Sequence, residues 1–242
     1  MEIAAKEPSS VLWKHLKIAM AEFLGTAIIV FLSCMGSCFG IQGDQVFSMH
    51  TSLTAGLAVA TAIQTFGHLS GAHVNPAVTL NALIVQEIKW QFLFSYIGAQ
   101  VVGSLIGAGI FAAVTNDASL GIQADGNGVC VTAVNNDITV LQGLAVEVLL
   151  SAILNLAICA SWDARNSDKI DSVSLKIGLL VAVLNLGGGA YTGASMNPCR
   201  SFGPAVLSAD WNNHWIYWTG PIVGALIASG LYRFMFWENK KM

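Results

Sequence analysis

Two stretches of the 242-residue sequence combine small residues with an Asn-Pro pair. Residues 70–78 read SGAHVNPAV, and residues 192–200 read TGASMNPCR. Proline suits the first turn of a helix, where its missing N–H is not needed. An asparagine just before it can accept hydrogen bonds from the first N–H groups of that helix. Asn75 and Asn197 are therefore predicted to cap two helices, while their amide N–H groups stay available to bind an oxygen atom.

The sequence holds no pattern that is typical of catalysis. It shows no recognisable pairing of a nucleophile with a base, no His-x-x-x-His pair, and no Cys/His cluster with the spacing of metal ligands. We therefore expect that the protein is not an enzyme and that it binds neither a cofactor nor a metal ion. A nucleic-acid partner is not expected either.

The elements that position these residues are predicted to cross a membrane. The chain is 55% hydrophobic and 10% charged, with a mean hydropathy of +0.64, whereas a soluble domain carries about 25% charged residues. A membrane-spanning helix needs roughly 20 apolar residues. Six runs satisfy this length: residues 16–39, 48–66, 92–114, 140–162, 173–189 and 215–236.

An internal repeat relates the two halves of the chain. Asn75 and Asn197 lie 122 positions apart, and Glu22 and Glu147 lie 125 positions apart. Because each half has an odd number of spans, the second copy must enter the membrane upside down. The sequence predicts one all-α membrane domain over residues 1–242, with inverted repeats at about 16–115 and 140–236 joined by an exterior loop, 116–139.

Two further apolar segments, residues 75–85 and 197–207, are about 11 residues long and too short to span a bilayer. They are predicted to be re-entrant half-helices whose N-termini meet near the midplane. Irregular backbone at that depth is tolerated where it lines water. The loops before the half-helices are therefore expected to expose carbonyl groups to a pore, at Gly71, Ala72, His73, Gly193, Ala194 and Ser195.

Charge placement predicts the orientation. In a six-span arrangement the Lys and Arg residues fall on one side, with Arg200 as the exception, and the opposite connections contain Asp. The positive-inside rule makes that side cytoplasmic, so we expect a multi-pass plasma-membrane protein with both termini in the cytoplasm. Free thiols are expected because most of the cysteines lie in apolar stretches. They are Cys34, Cys38, Cys130, Cys159 and Cys199.

Three motifs carry a family resemblance: residues 21–26 (AEFLGT), 67–79 (GHLSGAHVNPAVT) and 191–206 (YTGASMNPCRSFGPAV). Over essentially the whole chain they closely resemble the aquaporin, or major intrinsic protein, family. The resemblance implies a homotetramer among membrane lipids, with one pore per subunit that passes water or small uncharged solutes.

The resemblance assigns the paired motifs to the centre of such a pore, and the motif residues are Asn75, Pro76, Ala77, Asn197, Pro198 and Cys199. Their amides would donate into the lumen, and two helix dipoles would direct positive ends at one spot. Neutral hydroxyl-bearing solutes would then pass, whereas ions and protons would be repelled.

Motif counting against the family assigns the selectivity filter to Ala55, Asn185, Ala194 and Arg200. Water channels usually carry an aromatic residue at the first position and His at the second, so this filter is predicted to be wider. A wide pore with polar contacts on one wall suits glycerol, urea or similar polyols. If the glycines at 187–189 bend the helix, Asn185 would face away and the pore would widen further.

Other residues point to a different subfamily from the one that the filter indicates. Ser201 and Tyr217 resemble the water-channel branch, so the chain combines a water-channel-like body with a different filter. That combination resembles the insect entomoglyceroporins. A glycerol channel is therefore the leading interpretation and a water-selective channel the second. The third is a structural or junctional membrane protein that makes contacts through residues 40–46.

Each of three ionisable residues has two possible roles. Glu22 and Glu147 could form a proton relay, but symmetry and the resemblance favour a structural role as acceptors for backbone N–H groups of the loops. His68 is a candidate pH gate, and it could equally close the cytoplasmic vestibule or bind a neighbouring loop.

Overall fold

All regular secondary structure is helical in the part of the chain described by the computed structural model, residues 11–38, 49–116, 120 and 130–237. These residues form six long helices and two short ones: α1 (Val11–Gly36), α2 (Met49–Ser70), α3 (Pro76–Ile84), α4 (Leu93–Val114), α5 (Val140–Trp162), α6 (Val173–Thr192), α7 (Pro198–Ser208) and α8 (Ile216–Met235). Short 3₁₀ segments, Trp90–Phe92 and Ala164–Ser172, precede α4 and α6. Residues 40–46 and half of the predicted exterior loop, residues 117–119 and 121–129, lie outside the described residues.

Four of the long helices are apolar enough to cross a membrane on composition alone. These are α1, α4, α5 and α6, with mean hydropathy values between 1.7 and 2.1. Helices α2 and α8 have similar lengths, 22 and 20 residues. They pack into the same bundle, because α2 lies against α1 and α6, and α8 lies against α5.

The packing repeats between the two halves of the chain. Helix α1 packs along α4, and α5 packs along α8 in the same way. A Cβ atom at Gly103 would lie 2.4 Å from the carbonyl oxygen of Phe23, and one at Gly224 would lie 2.4 Å from that of Val148. Only glycine fits at either crossing, so both helix pairs approach equally closely. The inverted repeat predicted from the sequence is present.

The two short helices fill the space that the long helices leave. Helix α3 has 9 residues and α7 has 11, which corresponds to about 14–17 Å at 1.5 Å per residue. Neither can span a hydrocarbon core of about 30 Å. Each packs against a long helix of the other half, α3 against α8 and α7 against α4. The half-helices therefore join the two repeats.

The glycines at 187–189 do not interrupt α6, which extends to Thr192, three residues beyond the predicted end. A Cβ atom at Gly188 would lie 2.3 Å from Cδ1 of Leu150, so the helix uses this glycine for close packing against α5. The helix ends at Gly193, which has a φ angle of +77° and whose N–H donates to the carbonyl oxygen of Gly189. A left-handed glycine is a common helix terminator.

The expectation of five free thiols is wrong for two cysteines. Cys34, near the end of α1, forms a disulfide with Cys130, and their Cα atoms are 4.9 Å apart. The two residues are 96 positions apart in the chain, so only the fold could show their proximity. Cys38, Cys159 and Cys199 keep their thiols.

Candidate functional site

A cavity that is partly open to solvent lies between the two Asn-Pro loops and the long helices α1, α2, α5 and α6. It brings together most residues of the predicted site: Ala55, Gly71, Ala72, His73, Asn75, Asn185, Ala194, Ser195, Asn197 and Arg200. Apolar side chains such as Ile177 and Val181 form much of the remaining wall. The predicted residues Pro76, Ala77, Gly193, Pro198 and Cys199 are not among its lining residues.

The two asparagines cap the half-helices, as their positions before proline indicate. Asn75 Oδ1 accepts from the N–H of Ala77 at 2.8 Å, and Asn197 Oδ1 accepts from the N–H of Cys199 at 3.0 Å. Local sequence accounts for both caps, because the acceptor and the donor are two residues apart.

The amide groups do more than the sequence suggests. Asn75 Nδ2 donates to the carbonyl oxygen of Met196, and Asn197 Nδ2 donates to that of Val74, each at 2.8 Å. The two loops are thereby joined by a reciprocal pair of hydrogen bonds. A primary amide carries two N–H donors, so one N–H of each asparagine remains for the cavity.

The backbone of both loops is left-handed at equivalent positions. Positive φ angles occur at Gly71 (85°), Ala72 (46°), Val74 (47°), Gly193 (77°), Ala194 (45°) and Met196 (53°). Such angles are uncommon outside glycine and are strained for a β-branched residue. Within the described part of the chain, no hydrogen bond ends on the carbonyl oxygens of residues 71–73 or 193–195. These acceptors are therefore available to water or a solute.

A buried carboxylate holds each loop in this conformation. Glu22 accepts hydrogen bonds from the backbone N–H groups of His73 and Val74, at 2.9 and 2.6 Å. Both oxygens of the carboxylate are used, which suits a structural acceptor better than a proton carrier.

Glu147 holds the second loop in the same way. It accepts from the N–H groups of Ser195 and Met196, each at 2.8 Å, and from the hydroxyl of Thr192 at 2.7 Å. The side chain is fully buried.

Two tyrosines support the same loops, and this role was missed in the sequence. The hydroxyl of Tyr96 donates to the carbonyl oxygen of Ser70, and that of Tyr217 donates to the carbonyl oxygen of Thr192. The tyrosines lie 121 positions apart, so the repeat offset was the signal that could have paired them. The ring of His73 stacks on Tyr96 with centroids 4.5 Å apart, which fixes this side chain beside the loop.

The four predicted filter residues line one cavity, and two of them have defined partners. Asn185 Oδ1 accepts from the hydroxyl of Ser52 at 3.0 Å, which directs the amide NH₂ away from Ser52. Arg200 Nη1 donates to the carbonyl oxygen of Cys130 at 2.7 Å. Ala55 and Ala194 are 7% and 1% exposed and present only methyl groups. Neither Ser52 nor Cys130 was predicted, because both act through long-range contacts.

His68 lies on the exposed side of the last turn of α2 and is not among the residues that line the cavity. A gating role for it stays a prediction.

At the end of α5, outside the helix, the Asp163 carboxylate accepts from Arg165 Nη2 at 2.6 Å and from the hydroxyl of Tyr232 at 3.1 Å. The hydrogen bonds from Arg165 hold the pKa of Asp163 well below its usual range. This cluster ties α5 to the end of α8, since Arg165 also donates to the carbonyl oxygen of Phe236.

Comparison with known proteins assigns the architecture. The family model of the major intrinsic proteins matches residues 9–232, which is nearly the whole chain. The chain belongs to the major intrinsic protein family. Members of this family are channels rather than enzymes, in agreement with the missing catalytic pattern.

Two similar proteins and one solved structure agree with the assignment to the major intrinsic protein family. The chain is 44% identical to aquaporin-4 of Homo sapiens over 91% of its own length and 67% of the relative. It is 41% identical to aquaporin-5 of Homo sapiens over 97% of its length and 85% of the relative. The X-ray structure of the aquaglyceroporin from Plasmodium falciparum superposes with a TM-score of 0.81 at 25% identity, covering 91% of this chain and 96% of that one.

Proposed function

We propose that this major intrinsic protein conducts glycerol, urea and similar small uncharged solutes together with water, and that it excludes ions and protons. The observation that carries the proposal is the set of four filter residues, which combines two methyl groups with one amide and one guanidinium around a single cavity.

A polyol presents hydroxyl groups on one side and C–H groups on the other, and the proposed filter matches both. Arg200 and the NH₂ of Asn185 offer hydrogen-bond donors, because Ser52 occupies the amide oxygen. Ala55 and Ala194 offer apolar contact. An aromatic ring or an imidazole at these positions would remove space that a solute larger than water requires. A pore lined in this way distinguishes solutes by size and by donor geometry.

Exclusion of cations follows from the positive potential at the centre of the cavity. Asn75 and Asn197, which cap the N-termini of α3 and α7, both line the cavity, and a helix N-terminus carries about half a positive charge. An entering cation loses hydration and meets positive potential from both directions. A neutral oxygen can instead accept the remaining amide N–H of Asn75 or Asn197.

Glycerol-gradient and osmotic stopped-flow measurements on proteoliposomes test the proposal. The parent chain should accelerate both glycerol entry and water flux. Asn185→His restores a ring at the filter and should reduce glycerol permeability far more than water permeability. Asn185→Ala removes the amide donor without adding a ring, so it separates the loss of a hydrogen bond from the loss of space, and it should lower glycerol permeability less than Asn185→His does. Equal loss of both fluxes in Asn185→His would show that Asn185 is not the determinant.

A water-selective channel is the second candidate. The 44% identity to aquaporin-4 over 91% of the chain favours it. Water flux with no glycerol component in the parent chain would decide for this candidate. The likeness to the insect entomoglyceroporins belongs to the glycerol proposal and would fall with it.

We further propose a homotetramer in the plasma membrane with both termini in the cytoplasm. Large apolar side chains on the outer faces of the bundle support an environment of lipid and neighbouring subunits, among them Leu105, Ile153 and Leu226. The mass of the detergent-solubilised complex tests the tetramer. Protease protection of tagged termini in sealed cells tests the orientation.

A further inference from the structure

We propose that the disulfide between Cys34 and Cys130 sets the solute selectivity of the pore by fixing the carbonyl group that holds Arg200 against the cavity wall. This inference rests on the proposed function, because it assigns Arg200 to the filter. Cys34 and Cys130 are positioning residues in this account. Neither is among the residues that line the cavity.

The guanidinium of Arg200 depends on one residue for its orientation. Nη1 donates to the carbonyl oxygen of Cys130 at 2.7 Å and lies 3.7 Å from the sulfur of the same residue. Among the described residues, Cys130 supplies every hydrogen-bond acceptor of this side chain. A guanidinium is a rigid planar fork with five N–H donors, so this single anchor determines where the other donors point.

The backbone of Cys130 is in a conformation that requires support. Its φ angle is +76°, in the left-handed region that residues other than glycine rarely adopt. A backbone of this kind persists where the surrounding structure holds it. On one side Thr132 donates to the hydroxyl of Ser201 at 2.7 Å. The disulfide supplies the covalent connection to α1.

Both sulfur atoms lie in a packed interior. Cys34 and Cys130 are 1% and 7% exposed and belong to a buried cluster with Val30 and Phe111. The carbonyl of Cys130 is thus tied to a rigid helix through one side chain. Without the bond, the residue can relax toward ordinary backbone angles, its carbonyl turns, and the guanidinium is released toward the lumen. Glycerol is then hindered more than water because it needs the wider opening.

Stopped-flow measurements of Cys34→Ser and Cys130→Ser in proteoliposomes test this inference, with permeabilities normalised to incorporated protein. We expect the ratio of glycerol to water permeability to fall by about twofold to tenfold, the range for weakening of a charge-assisted hydrogen bond. The matched control is Cys38→Ser, four residues beyond Cys34 on the same segment, which should keep the parent ratio. A purely structural loss removes active channels and lowers both permeabilities without changing their ratio.

The Arg200→Ala background separates positioning from other effects. If Cys34 acts through Arg200, Cys34→Ser should change the ratio in the parent and leave it unchanged in Arg200→Ala. An equal fall in both backgrounds would overturn the inference, as would an unchanged or raised ratio in the parent background. If a serine variant is not recovered, the Cys34→Ala/Cys130→Ala pair replaces it without adding a polar group to the buried cluster.

Two further results would decide the matter. Alkylation of Cys34 and Cys130 in the unreduced parent protein, read by mass spectrometry, would overturn the inference directly. If the parent passes water and no glycerol, the proposed function fails on its own. The inference is then judged by water permeability per channel, which must change in Cys34→Ser and stay at the parent value in Cys38→Ser.

Discussion

Replacing Glu147 by Gln tests how the second pore loop is held. One carboxylate oxygen accepts from the hydroxyl of Thr192 and the N–H of Ser195, and the other accepts from the N–H of Met196. Glutamine keeps one acceptor oxygen and places an NH₂ group at the other position. In either orientation, a donor then faces at least one buried donor, and the charge that strengthens the remaining bonds is lost.

The expected loss follows from these contacts. A hydrogen bond to a charged group contributes about 1.5–3 kcal/mol, and a buried donor left without a partner costs about 1–3 kcal/mol. Glu147 is 0% exposed, so water cannot replace the missing acceptor. We expect the free energy of unfolding to fall by about 3 kcal/mol or more, which corresponds to roughly a hundredfold change in the unfolding equilibrium.

Denaturant or thermal unfolding in detergent micelles measures this change. Asp137→Asn makes the same chemical replacement at an exposed position and should alter stability by about 0.5 kcal/mol or less. Glu22→Gln should resemble Glu147→Gln, because Glu22 accepts the equivalent backbone bonds in the first loop. Parent-like stability in Glu147→Gln would refute the structural role and revive the proton relay.

Three further predictions follow from the loops and the end of α5. Asn197→Asp keeps an acceptor for the helix cap but removes the donor to Val74 and adds negative charge. We expect a cation leak that the parent lacks, measured as conductance across a planar bilayer, and an unchanged conductance would contradict the barrier. Tyr217→Phe loses the bond to the Thr192 carbonyl and should lower the free energy of unfolding by about 0.5–1.5 kcal/mol, whereas the exposed Tyr191→Phe should not. Because the pKa of Asp163 is lowered, its contribution to stability is complete above the ordinary aspartate pKa and is lost as pH falls toward the lowered value. Arg165→Gln moves the folded-state pKa back toward the ordinary value, so the acid-dependent loss of stability in thermal unfolding scans should become smaller, and identical pH profiles for the two proteins would contradict the cluster.

Features set by neighbouring residues were predictable from the sequence. The caps at Asn75 and Asn197 require only a side-chain acceptor and a backbone N–H donor two residues later. The half-helices were predicted at 75–85 and 197–207 and are found at Pro76–Ile84 and Pro198–Ser208. Their lengths follow from short apolar runs that begin at proline, so these boundaries needed no knowledge of the fold.

Features that depend on contacts between distant segments were not predictable. The glycines at 187–189 could have ended α6, but packing of Gly188 against Leu150 keeps that segment helical. The sequence also left the orientation of Asn185 open. Its bond to Ser52, 133 positions away, fixes the amide at the cavity.

The sequence by itself determined the family, the repeated Asn-Pro caps and the identities of the residues that meet at the cavity. These depend on residue type and on spacing, which a single chain displays directly. The tertiary structure alone decided that each asparagine amide bonds the opposite loop, that Cys34 pairs with Cys130, and that the Cys130 carbonyl orients Arg200. Each of these contacts joins segments far apart in the chain. Only packing of the helices brings such partners within bonding distance.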